Sequence, residues 1–120
     1  MSRIDIQGGC FCGEVRYRSA AEPIHSTICH CGDCRRAAGA QSVAWVTFRR
    51  EAFSFTAGQP VRFKSSPPVI RTFCGRCGTS LTYERDDRPG EIDVTTGSLA
   101  DPEAFPPTQH VFSEQKLSWV

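Results

Sequence analysis

Seven cysteines are the side chains with the most chemistry to offer in this sequence. They fall into three tight groups: Cys10 with Cys12, then Cys29 with Cys31 and Cys34, then Cys74 with Cys77. Structural disulfides join residues distant in sequence and need an even set, so an odd count in short clusters suits them badly. Thiolates two or three residues apart on a turn can instead converge on one metal ion at about 2.3 Å. Keeping each group whole divides the set into four and three. Four thiolates around zinc close a structural site, and three leave one position open for a reacting ligand. The expectation is one ion that folds the chain and one that reacts. If Cys10-Phe11-Cys12 is extended, both sulfurs share a face and Phe11 points away. The Cys74-Gly75-Arg76-Cys77-Gly78 knuckle would then tie a late hairpin to an N-terminal strand. For the trio, three alternatives stay open: a redox thiol cluster, a second structural site completed by His30, and an iron–sulfur cluster with a fourth ligand from elsewhere.

An open position beside three thiolates favours a thiol as its ligand, ionised at neutral pH yet still nucleophilic toward an aldehyde carbonyl. Reversal of that addition is a lyase step. Arg35 and Arg36 follow the trio and could offset its negative charge or grip a substrate carboxylate through paired hydrogen bonds. His30 lies between two ligands, and alternation turns it away from their metal. His110 is a candidate proton shuttle or pocket wall. Asp33 suits a turn role, accepting from backbone N–H groups of the knuckle. Trp45, Phe48, Phe53, Phe55 and Phe63 have strand spacing and are expected in the core.

The elements that position these residues read as short strands. Period-two patterns run over Ile4 to Gln7 and Glu14 to Arg18, Ile24 to Ile28 leads into the trio, Ser42 to Phe48 is β-branched and aromatic, and Phe53 with Phe55 and Val61 with Phe63 keep the period of two. Val69 to Phe73, Thr79 to Tyr83, Glu91 to Thr96 and Gln109 to Phe112 continue the series. Two segments suit a helical turn: Cys34 to Ala38 with Gly39 as stop, and Asp101 to Phe105 with Asp101 as cap and Pro102 in the first turn. The chain is 120 residues long, the length of one domain, with no linker or repeat across 1–120. An all-β, mainly antiparallel, zinc-stabilised domain with one or two short helical turns is expected.

Composition narrows the function classes. Fourteen Lys and Arg against thirteen Asp and Glu leave a net charge of +1, too little to hold a polyanion overall, which argues against a nucleic-acid partner. No apolar run is long enough for a membrane span, and MSRIDIQGG has no signal-peptide core. Cytoplasmic residence is the resulting expectation, with no membrane partner.

Four stretches resemble the glutathione-dependent formaldehyde-activating enzyme family, which includes centromere protein V-like domains. They are Gly9 to Tyr17, Cys29 to Arg36, Phe73 to Leu81, and a tail from Thr96-Gly97-Ser98-Leu99 through Asp101-Pro102 and Phe105 to His110-Val111-Phe112. The resemblance implies a β-tent fold with two zinc ions. It assigns Cys10, Cys12, Cys74 and Cys77 to a structural ion and Cys29, Cys31 and Cys34 to a catalytic one. It also implies carbon–sulfur lyase chemistry combining glutathione with formaldehyde, so a glutathione-like thiol and an aldehyde are the expected small-molecule partners. Two other classes compete: a zinc-stabilised module binding protein or nucleic acid, and a redox or metal-buffering protein without lyase activity.

Overall fold

The structure is a computed structural model and describes residues 3–120. In chain order the strands are β1 (Ile6–Gly9), β2 (Arg16–Ser19), β3 (His25–Cys29), β4 (Val43–Arg49), β5 (Phe53–Ala57), β6 (Val61–Ser66), β7 (Val69–Phe73), β8 (Ser80–Arg85), β9 (Glu91–Thr95) and β10 (Gln109–Val111). One α-helix, α1 (Gly32–Ala38), follows β3, and the remaining helical pieces are single 3-10 turns. The expectation of an all-β fold with short helical turns holds. A three-stranded sheet has the order β1-β2-β5, and a seven-stranded sheet has the order β10-β3-β4-β9-β8-β7-β6. The β10–β3 pair is parallel, and the other pairs are antiparallel.

The alternation of β4 decides where the layers meet. Val46 and Phe48, both fully buried, point toward the small sheet and meet Val15, Tyr17 and Phe53 there. Val43 and Trp45 point the other way, toward α1 and the cysteine trio. β9 repeats the pattern with Ile92 and Val94 in the inter-sheet core. On β8 the phase must change, because Leu81 belongs to that core whereas Tyr83 packs beside Trp45. A bulge makes the change: Thr72 pairs with Thr82 and Phe73 with Ser80, which leaves Leu81 as the extra residue.

Three sequence expectations are corrected. Cys10-Phe11-Cys12 is not extended; it is a turn closed by the Gly13 N–H donating to the Cys10 carbonyl at 3.1 Å, although Phe11 does point into solvent. Phe63 is 58% exposed, because β6 is an edge strand with no layer over either face. Asp101 precedes the 3-10 turn Pro102–Ala104 without a side-chain cap bond. Helix α1 starts two residues before the expected Cys34 and stops where expected, at Gly39, whose φ of 64° is the left-handed geometry glycine favours.

Tyr17 gives the inter-sheet core its testable polar contact. Its ring is buried and its Oη lies 2.7 Å from Ser98 Oγ. Burial pushes the phenol up to about 12. The folded value is above the unfolded one, so this group's contribution is complete below pH 10 and is lost as pH rises toward 12. Tyr17→Phe is expected to cost about 1 kcal/mol at neutral pH for the lost hydrogen bond. It should also flatten the alkaline loss of stability. Urea unfolding at pH 7 and pH 11 checks both; an equally steep alkaline loss in the variant would contradict this account.

Candidate metal centres and substrate cavity

The register of the large sheet assembles one wall of a cavity as a single row. His25 pairs with Thr47, Thr47 with Asp93, Asp93 with Tyr83 and Tyr83 with Arg71, crossing β3, β4, β9, β8 and β7. All five residues line a cavity of about 530 Å³. Two residues along each strand, on the same face, Thr27 and Trp45 extend the wall toward Cys29. The tail supplies the opposite rim. Thr108 N–H and Ser26 Oγ–H fasten it to β3 through the Ser26 and Phe105 carbonyls at 2.9 and 3.0 Å. Parallel β10 then brings Gln109, Val111, Phe112 and Gln115 to the cavity.

Cys29, Cys31 and Cys34 all line this cavity, with their sulfurs within 4.8 Å of one another. β3 ends at Cys29, and Cys31 caps α1 by accepting from the Cys34 N–H at 3.2 Å. One short turn therefore gathers three thiols without a long-range contact. Their charge is unevenly shared. Cys34 is lowered by hydrogen bonds from the Cys29 and Cys31 thiols and from the Arg71 guanidinium, whose Nη atoms lie 3.8 and 3.9 Å from its sulfur. Cys29 is raised, because it gives its hydrogen bond to Cys34 and is buried.

The other four cysteines meet on the far side of the core, their sulfurs also within 4.8 Å of one another. Cys10 and Cys12 are 3.6 Å apart, and Cys12 and Cys74 are 3.8 Å apart. A tetrahedral zinc with bonds of about 2.3 Å separates its sulfurs by about 3.8 Å, so this donor set fits such an ion. The knuckle repeats the device of the trio: Cys74 Sγ accepts from the Arg76 and Cys77 N–H groups, each at 3.4 Å. Gly78, at φ 83°, turns the chain back into β8. Hydrogen bonding to Thr79 pulls the Cys77 thiol down to about 5.

A family model described as glutathione-dependent formaldehyde-activating enzyme matches residues 5–115. The chain belongs to this family. An uncharacterized lyase of Schizosaccharomyces pombe is 28% identical to this formaldehyde-activating-enzyme family member in an 86-residue alignment that covers 66% of this chain. Those residues span only 57% of that relative's length. A crystallised protein of Rhodobacter sphaeroides superposes with a TM-score of 0.70 at 22% identity, over 88% of this chain and 99% of that one, and so shares the fold. Among the described residues, no helix is long and apolar enough to cross a membrane.

Several individual expectations meet this family member's geometry differently. Arg35 is half-buried and Arg36 exposed, and neither lines the cavity. His110 is on the outer side of β10, where its Nδ1 lies 2.9 Å from Nε2 of buried His30. His30 does turn away from the trio, and burial lowers its pKa. Asp33 is exposed on the cavity rim; the N–H of Cys34 is taken by Cys31 Sγ. Trp45 is buried, but in the cavity wall. The cations that do line the cavity are Arg71, Arg85 and Arg88. Sequence reasoning missed Arg71, although its phase on Val69 to Phe73 signals it: it shares the inward parity of Val69.

Proposed function

We propose that this chain is a zinc-dependent carbon–sulfur lyase that reversibly joins a thiol to an aldehyde, with glutathione and formaldehyde as the first candidates. The observation carrying the proposal is the thiol trio placed inside a cavity that can hold a small peptide-like thiol. In this reading Cys10, Cys12, Cys74 and Cys77 hold a structural zinc, and Cys29, Cys31 and Cys34 hold a catalytic one. Bound there, zinc would supply an open Lewis-acid position that favours the ionised form of a substrate thiol. The substrate carboxylate role expected of Arg35 and Arg36 passes to the rim arginines. Arg85 is held by Asp87 in two hydrogen bonds of 2.8 Å, and Arg88 reaches Glu91 and Asp93 at 3.4 and 3.8 Å. These partly exposed pairs exchange readily for a substrate carboxylate. Trp45 and Tyr83, with ring centroids 5.8 Å apart, form an apolar wall that keeps water from the reacting sulfur.

In the forward direction the thiol sulfur forms a bond to the carbonyl carbon, and the carbonyl π pair moves to oxygen, which takes up a proton. The thiol's own proton balances it. Asp93 would hold and return that proton at Oδ2, which lies 3.8 Å from the Arg88 guanidinium, while Oδ1 accepts from the Thr47 hydroxyl. Burial raises this carboxyl toward the range where such exchange is useful. The test is two-dimensional exchange NMR of glutathione with labelled formaldehyde, with and without zinc-loaded protein. Adduct formation and breakdown should both exceed the uncatalysed rates by about tenfold or more. Background rates for glutathione and for a panel of other small thiols would remove the lyase reading.

A further inference from the structure

Arg71 is buried, 9% exposed, and a guanidinium cannot shed its charge. A cation so placed needs an anionic partner or it destabilises the fold. Yet among the described residues no carboxylate comes within 4.0 Å of it. The nearby Asp93 is engaged by Thr47 and Arg88. What surrounds Arg71 is a seat: Nε donates to Ser65 Oγ at 3.1 Å, and the carbon of the guanidinium lies 5.0 Å from the centre of the Tyr83 ring. Both remaining nitrogens face Cys34 Sγ, at 3.8 and 3.9 Å. Sulfur is thus the anion that β7 brings this arginine to meet.

We propose that Arg71 is a positioning residue that balances the charge of the three-cysteine centre and makes its open position prefer an anionic sulfur to a neutral donor. The inference rests on the metal reading given above. Three thiolates on a divalent ion carry one net negative charge, and a fourth thiolate would double it. A fixed positive charge in the same low-dielectric cavity offsets that second charge. A neutral ligand adds no charge and gains nothing from Arg71. The preference therefore comes from the protein's charge arrangement and not from the metal alone.

The experiment uses the full chain with cobalt in place of zinc, titrated with 2-mercaptoethanol, an uncharged thiol indifferent to the rim arginines, and separately with imidazole. Visible absorption reports the fourth ligand in both titrations. Arg71→Gln should weaken thiol binding about tenfold and leave imidazole binding within about twofold, and Arg71→Lys should restore thiol binding to within about threefold of wild type. Equal loss for both ligands, or no loss for the thiol, overturns the proposal. If Arg71→Gln does not fold, Arg71→Lys decides alone: thiol affinity within threefold supports charge balance, and a tenfold loss overturns it. Wild-type cobalt protein that binds no thiol defeats the lyase reading as well. A wild type that binds thiol beside an Arg71→Gln variant that binds it equally defeats this inference only.

Discussion

Cys74→Ser should lower the melting temperature by about 10 °C or more, whereas Cys31→Ser should lower it by only a few degrees. Cys74 is 1% exposed and joins the turn after β7 to the turn after β1, so its sulfur belongs to a clip between the two sheets. The Phe11 N–H donating to Thr79 Oγ1 at 3.0 Å is a further direct contact across that junction. Cys12 and Cys74 are 62 residues apart in sequence, and closing a loop of that length with a metal stabilises the native state by about 3 kcal/mol or more. For a chain of this size each kcal/mol moves the midpoint by roughly 3–4 °C. Cys31 is half-buried beside a cavity and ties together only β3 and α1, which are already neighbours in the chain. Differential scanning calorimetry, with zinc content measured on the same samples, tests the contrast. Equal losses in the two variants would mean that both clusters are structural.

On the zinc-lyase reading, removal of metal from the trio should abolish turnover while the sheets stay intact. Its sulfurs border an open cavity, and four sulfurs close the other site. A chelator is therefore expected to take one equivalent quickly and the second only as the protein unfolds. Activity should fall to the uncatalysed rate with the first equivalent, as it should in Cys34→Ala, and far-ultraviolet circular dichroism should not change until the second is lost. Retained activity after one equivalent, or a collapse of the strand signal with it, would reverse the assignment of the two sites.

Much of this arrangement was legible in the residues. The cysteine partition depends on spacing along the chain, and spacing survives folding: two short turns bring Cys29, Cys31 and Cys34, and Cys74 and Cys77, together whatever surrounds them. Strand positions followed from period-two alternation, and the end of α1 followed from Gly39. The errors arose where tertiary context decides. Phe63 looked like a core residue because alternation reports a face without saying whether anything covers it. Arg35 and Arg36 stand next to the trio in sequence, but a helix of about two turns points its successive residues in different directions. Arg71 comes from a strand 37 residues beyond Cys34, and only the pairing of β7 with β8 and β9 brings it to the trio. The bulge at Leu81 left no mark in the pattern.

The double-sided burial of β4 and β9 has a consequence for how members of this fold diverge. Neither strand has a solvent face along which substitutions accumulate freely. Even-numbered residues, Val46, Phe48, Ile92 and Val94, answer to the packing between the sheets. Their odd-numbered neighbours Trp45, Thr47 and Asp93 answer to whatever occupies the cavity. Adjacent codons are thus under separate selective pressures, one for persistence and one for chemistry. A lineage can exchange its substrate by changing every second residue of two strands while the intervening residues keep the scaffold standing.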